Sequence, residues 1–124
     1  MNVLKRQEIG KRAEQEAKQF LQTKGLCLLT QNYHCYHGEI DLIMRDQDDI
    51  VFIEVRSRSR TDYGHASETI NKLKKTKLIK TATHFLQKKR WLDKVNSRFD
   101  VIAIQFVSGK SQLEWIINAF PVEY

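Results

Sequence analysis

The apolar residues of this chain change period along its length, and the changes mark its elements. Ile9, Ala13, Ala17, Phe20 and Leu21 recur at the 3.6-residue period of an amphipathic helix, predicting a helix over 5–24 that stops at Gly25. Residues 26–33, led by Leu26, Leu28 and Leu29, predict a short strand. Residues 37–45 and 50–58 alternate and are rich in Ile, Val and Phe, the pattern of paired strands, with Asp46-Gln47-Asp48-Asp49 as the turn between them. Residues 59–65 form a basic, glycine-containing loop. A second helix follows over 67–90, with Ile70, Leu73, Leu78, Ala82, Phe85 and Leu86 as its apolar positions. Strands over 98–106 and 112–117 close the chain, separated by Ser108-Gly109-Lys110-Ser111. Helix, three strands, helix and two strands predict an α/β domain built on one mixed sheet.

The second and third strands bring chemistry into this frame. A turn centred between Gln47 and Asp48 sets Asp41 opposite Glu54 and Glu39 opposite Arg56. Opposed side chains share a face, with Cβ atoms roughly 4.5–5.5 Å apart, and like charges so placed repel. A carboxylate pair needs a cation or a shared proton. A divalent ion held by oxygen ligands meets that need, and Mg²⁺ takes one or two carboxylates while keeping waters for a phosphate substrate. Phe52, Glu54 and Arg56 share one face of the third strand, and Val51, Ile53 and Val55 the other, which is β-branched throughout and has to be buried. A solvated face of alternating charge accounts for Glu39 and Arg56 but poorly for Asp41 beside Glu54, and a one-residue slip would separate the pair. Glu14 is a third acid, aligned with Gly10, Ala17 and Leu21 on the inner side of the first helix. A carboxylate buried there needs a partner, and Asp41 and Glu54 are candidates.

Charge sharpens the picture. The 124 residues carry a formal net charge of +6. Residues 1–55 are net −2, residues 56–90 net +9 and residues 91–124 net −1. Arg56, Arg58 and Arg60 alternate at the end of the third strand, and Lys72, Lys74, Lys75, Lys77 and Lys80 crowd the second helix. Charge clustered in this way is the footprint of a nucleic-acid binder. It suits tracking of the phosphate backbone, since no aromatic platform for single strands stands out, although Tyr63 is a candidate stacker. The length suits one domain, residues 1–124. No apolar run is long enough for a membrane span and no signal peptide is evident, so a cytoplasmic protein is expected. Cys27, His34, Cys35 and His37 do not have standard zinc spacing; buried cysteine with surface histidine is the expectation. Asp100, next to Arg98, is expected to form a structural ion pair, and Trp91 and Trp115 to lie in the core or an interface. The apolar ending around Ile116, Ile117 and Phe120 leaves a homodimer open.

Several of these residues recur together in a recognisable order: Gly10 with Glu14 and Ala17; Asn32; Gly38-Glu39-Ile40-Asp41-Leu42-Ile43; Val51-Phe52-Ile53-Glu54-Val55-Arg56-Ser57-Arg58; Tyr63-Gly64; Lys74 with Leu78 and Ala82; Arg98-Phe99-Asp100-Val101; and Trp115-Ile116 through Ala119-Phe120. In this the chain resembles the YraN/UPF0102 family of small bacterial proteins. That family is similar to the PD-(D/E)xK restriction-endonuclease-like nucleases and to the archaeal Holliday-junction resolvases. The resemblance implies a three-layer fold with a central mixed β-sheet flanked by helices, and a metal-dependent endonuclease acting on branched or structured DNA, with RNA left open. It implies Asp41 and Glu54 as ligands of Mg²⁺ or Mn²⁺, the Val55 carbonyl as a further ligand, and Glu14 as an additional acid. Arg56 stands where the superfamily has its lysine. Arginine stays protonated and cannot act as a base, but it can hold a phosphate or stabilise developing charge. Lys72, Lys74, Lys77, Arg58 and Arg60 are the expected contacts to the nucleic-acid backbone. The alternative is a nucleic-acid-binding protein that keeps the nuclease fold without the reaction.

Overall fold

The computed structural model describes residues 3–58 and 70–122. The order of elements is α1 (Val3–Thr23), β1 (Cys27–Cys35), β2 (Gly38–Asp46), β3 (Asp49–Arg58), α2 (Lys72–Lys89), β4 (Ser97–Val107) and β5 (Lys110–Phe120). The five strands form one sheet in sequence order. β3 and β4 pair in parallel while every other neighbour pair is antiparallel. A parallel pair needs a crossover connection, and α2 supplies it.

The two helices cover opposite faces. Ala17 and Leu21 of α1 pack with Leu42, Met44, Val51, Ile53 and Ile102. Leu78, Ala82, Phe85 and Leu86 of α2 pack with Ile43, Phe52, Phe99 and Val101. The result is the three-layer α/β arrangement of the restriction-endonuclease-like fold. With helices on both sides, Val51, Phe52 and Ile53 are all buried, so this part of β3 has no wet face.

The helix ends follow from their residues. Gly25 takes φ 95°, the left-handed value that suits a residue just past a helix. α2 begins later than its apolar pattern suggests, because Asn71 caps it: Asn71 Oδ1 accepts from the Lys74 amide at 2.8 Å. Ile70 is still buried, but as a residue before the cap, and Leu73 is 64% exposed rather than part of the apolar face. The predicted start at 67–69 and the basic loop over 59–65 lie outside the described residues. β1, β3, β4 and β5 run longer than predicted, and β2 keeps its nine residues one position further along. Cys27 is exposed, contrary to the expectation of a buried cysteine, and among the described residues no group of three or more His, Cys, Asp and Glu side chains is placed to hold a metal ion. No described helix is long and apolar enough to cross a membrane.

Candidate active site

The register of β2 and β3 is the one the turn predicts. Asp46 faces Asp49 across the Gln47–Asp48 turn, and the ladder continues through Met44–Val51 and Ile43–Phe52 to Leu42–Ile53. There it ends, one residue short of Asp41 and Glu54. The Asp41 carboxylate replaces the next rung: the Val55 amide donates to Asp41 Oδ2 at 2.7 Å. The strands therefore part where the acids sit. On the other side, β3 stays paired with β4 through Arg58.

The alternation of β2 shifts at the same place. Ile40 and Ile43, three residues apart, join the cluster under α2, whereas Leu42 and Met44 join the cluster under α1. β1 is irregular beside it, with Asn32 at φ 53°, a left-handed conformation that asparagine tolerates better than most residues. With its side-chain nitrogen turned toward the acids, Asn32 donates to Glu14 Oε2 at 3.1 Å and to Glu39 Oε1 at 3.3 Å. Glu39 is thus held by β1, and no ion pair joins it to Arg56 across the hairpin among the described residues.

The acids affect one another strongly. Burial pushes the Asp41 carboxyl up to about 8, helped by the charges of Glu54, Glu14 and Glu39 and opposed by the Val55 amide. Glu14 is also raised, by burial first and by Glu39, with hydrogen bonds from Asn32, Gln31 and Asp41 working against the rise. A proton on Asp41 relieves the repulsion among these acids. Glu54 takes the other solution. Lys74 Nζ, reaching down from α2, lies 3.2 Å from Glu54 Oε1, with the lysine side chain 44% exposed and the glutamate 11%.

The remaining candidates are spread around this cluster. Arg56 is half-buried on β3 beside Ala103 of β4, with no acidic partner among the described residues. Lys72 and Lys77 are exposed on α2. The side chains of Arg58 and Arg60, and Tyr63, lie outside the described residues. Gln31 had no signal in the sequence, and Asn32 had a place in the motif order but no role. An asparagine that leaves β geometry in mid-strand to serve two acids carries no periodic signature.

Asp41 and Glu54 on the sheet and Glu14 on α1, in an α/β fold of restriction-endonuclease-like form, define a class: a small domain with an acid cluster beside a lysine-rich helix. The chain belongs to the uncharacterised protein family UPF0102, whose model matches residues 13–104. It is 49% identical over 118 residues to a UPF0102 protein of Coxiella burnetii (strain RSA 331 / Henzerling II), covering 95% of this chain and 96% of that one. It is 51% identical over 114 residues to a UPF0102 protein of Legionella pneumophila (strain Corby), covering 92% and 95%. A UPF0102 protein of Nitrosococcus oceani is 44% identical over 114 residues, 92% of each chain.

Proposed function

We propose that this protein is a metal-dependent endonuclease that hydrolyses phosphodiesters in branched or structured DNA. The observation that carries the reading is the end of the β2–β3 ladder, where Asp41 and Glu54 come together just beyond the last rung with Glu14 close enough to act on Asp41. Folding concentrates negative charge there at a cost, and an oxygen-liganded divalent ion would offset it. Two features fit such an ion. Burial and the neighbouring acids raise the Asp41 carboxyl to about 8, and a lysine ammonium stands 3.2 Å from Glu54.

Asp41, Glu54 and the Val55 carbonyl would hold Mg²⁺ or Mn²⁺. When bound, the ion would neutralise phosphate oxygens and acidify water. The chain's own residues do the rest. Glu14, fixed by Asn32, orients water and accepts its proton, which its raised pKa favours. Arg56, free of acidic partners among the described residues, stabilises the negative charge that builds on the phosphate. Lys74 leaves Glu54 for the substrate backbone, where Lys72 and Lys77, with Arg58 and Arg60, add attraction.

The test is cleavage by the purified protein, with Mg²⁺ or Mn²⁺, of a panel of flaps, forks, junctions and single strands. Activity that survives Asp41→Ala or Glu54→Ala would sink the assignment. A second reading, a DNA-binding protein without hydrolysis, draws on the Lys74–Glu54 ion pair and on arginine at position 56. Calorimetry separates the two: metal binding with DNA present favours the enzyme, and DNA binding without metal binding favours the module.

A further inference from the structure

The tip of the β1–β2 hairpin carries an aromatic ring that the fold does not bury. Cys35 pairs with Gly38, leaving Tyr36 and His37 as a two-residue tip. Neither tip residue takes a left-handed φ, so the backbone there sets no demand that a tyrosine would fail. Tyr36 brings a large ring and buries almost none of it: the residue is 99% exposed. Its one ring neighbour is His37, edge-on at 5.6 Å. A tyrosine is usually placed to bury its ring and satisfy its hydroxyl, and this one does neither.

The tip is nevertheless held in place. His37 N donates to Cys35 Sγ at 3.4 Å. Gly38 sits against α2, where an added Cβ would lie 3.3 Å from Thr81 Oγ1 and 3.7 Å from Lys77 Cβ, and its φ of 153° also disfavours a side chain. Tyr33, five residues before Gly38, is tied to α2 through a hydrogen bond between its hydroxyl and His84 Nδ1. A cavity of about 290 Å³ opens beside the tip, lined by His37, Lys80, Thr83, His84 and Gln87. Neither Lys77 nor Lys80 has an acidic partner among the described residues. Gly38 starts the strand that carries Asp41, so tip and acid cluster are about 10 Å apart along β2.

We infer that this tip reads DNA structure: Tyr36 stacks on an unpaired base at a branch point, and Lys77 and Lys80 hold the phosphates of the strand that leaves the duplex. A ring fully in water, on a seated hairpin beside lysines with no acidic partner among the described residues, is complementary to a base that has lost its own stacking partner. Such a base is present at forks and flaps and absent from intact duplex. Aromatic stacking on bases is sequence-tolerant, so the tip would select structure and not sequence. The inference rests on the proposed endonuclease reading and adds to it the feature by which branched DNA is told from duplex.

The experiment is equilibrium binding of the full chain, without divalent metal, to a labelled fork and to a duplex of the same length, by fluorescence anisotropy. Wild type is expected to prefer the fork. Tyr36→Ala is expected to weaken fork binding about fivefold or more and to leave duplex binding within about twofold, while Tyr36→Phe keeps the preference. Lys77→Ala and Lys80→Ala are expected to weaken both substrates and to lower the salt dependence of binding by about one unit each. Equal fork and duplex affinity in wild type overturns the inference alone, as does a Tyr36→Ala variant with unchanged preference or a Tyr36→Phe variant that loses it. Absence of DNA binding by wild type at low salt overturns both the inference and the function it rests on. Circular dichroism of each variant, all altered at the surface, checks that the fold is intact.

Discussion

Two aspartates of one sheet, Asp100 buried and Asp41 half-buried, have opposite surroundings. Asp100, 1% exposed, is saturated with donors. Arg98 Nε lies 3.1 and 3.3 Å from its two oxygens, Trp115 Nε1 donates at 3.0 Å and the Asn118 amide at 3.0 Å. The β4–β5 ladder bulges between Phe99 and Val101 to let the Asn118 amide in. Arg98 also reaches Asp46 at 3.0 Å, linking the site to the end of β2. Asp41 has one backbone donor and three acids around it. A charge buried with its full complement of donors is a fixture of the fold. A carboxyl set among carboxyls works against the fold unless a proton or a cation offsets the repulsion. Burial alone does not separate the two roles; the sign and number of neighbours do.

The largest effect expected from this contrast is at Asp100. Asp100→Ala would leave the Trp115 indole and the Asn118 amide without an acceptor and the Arg98 guanidinium with Asp46 alone. Breaking a buried charge pair from one side costs about 3–5 kcal/mol. Urea unfolding should show that loss in the midpoint with little change in slope, and a cost under about 1 kcal/mol would remove Asp100 from the framework. Asp41→Asn should do the reverse. The amide oxygen can still accept from Val55, the amide nitrogen can face Glu14, and a charge among charges is gone. The metal-free variant should be more stable than wild type at pH 8 by about 1 kcal/mol, although it loses cleavage by at least about 100-fold. A destabilised Asp41→Asn would mean that Asp41, like Asp100, serves the fold.

Stability against pH sharpens the comparison further. The folded Asp41 carboxyl titrates at about 8 and the unfolded one near the ordinary aspartate value of about 3.9. Between those values the folded chain holds a proton that the unfolded chain has released. Stability from this group is therefore complete below about pH 4 and is lost as pH rises toward 8, with a slope of at most about 1.4 kcal/mol per pH unit. Glu14, raised as well, contributes in the same direction. Metal-free wild type should lose melting temperature between pH 5 and 8, and Asp41→Asn should flatten the decline. Saturating Mn²⁺ should restore stability at pH 8, by about 2.7 kcal/mol at one hundred times its dissociation constant. A wild-type profile as flat as that of the variant would show that Asp41 does not hold this proton.

Much of this contrast was legible in the sequence, and the part that was not has a physical reason. The β2–β3 register followed from where Asp46-Gln47-Asp48-Asp49 must turn, and the two covering helices from their apolar stripes. The Arg98–Asp100 pair was readable because its members are two residues apart on one strand and share a face. What strand periodicity cannot show is where a ladder stops. The parting at Leu42–Ile53 depends on Asp41 taking the Val55 amide and on Asn32 leaving β geometry, which are tertiary choices. Lys74 read as one of several lysines on a basic helix because nothing in its spacing marks it as the one above Glu54. Leu73 read as core for a related reason: the Asn71 cap starts the helix later and turns that position outward.

The smallest expected effect concerns Lys74. An ion pair with a half-exposed lysine contributes about 0–1 kcal/mol, so Lys74→Ala should barely change stability. Its effect on ligands should be larger and should differ in sign between them. If the ammonium stands where a divalent ion would neutralise Glu54, its removal eliminates a competitor, and Mn²⁺ should bind the DNA-free variant more tightly than wild type. DNA should bind it more weakly, with a shallower salt dependence, because one phosphate contact is gone. Titration calorimetry with Mn²⁺ and anisotropy with DNA measure the two separately. Weaker binding of both would make Lys74 a general support of the site. Tighter metal with weaker DNA would make it an exchangeable cation that yields Glu54 when metal and substrate arrive together, a behaviour that Arg98, locked between Asp46 and Asp100, should not show.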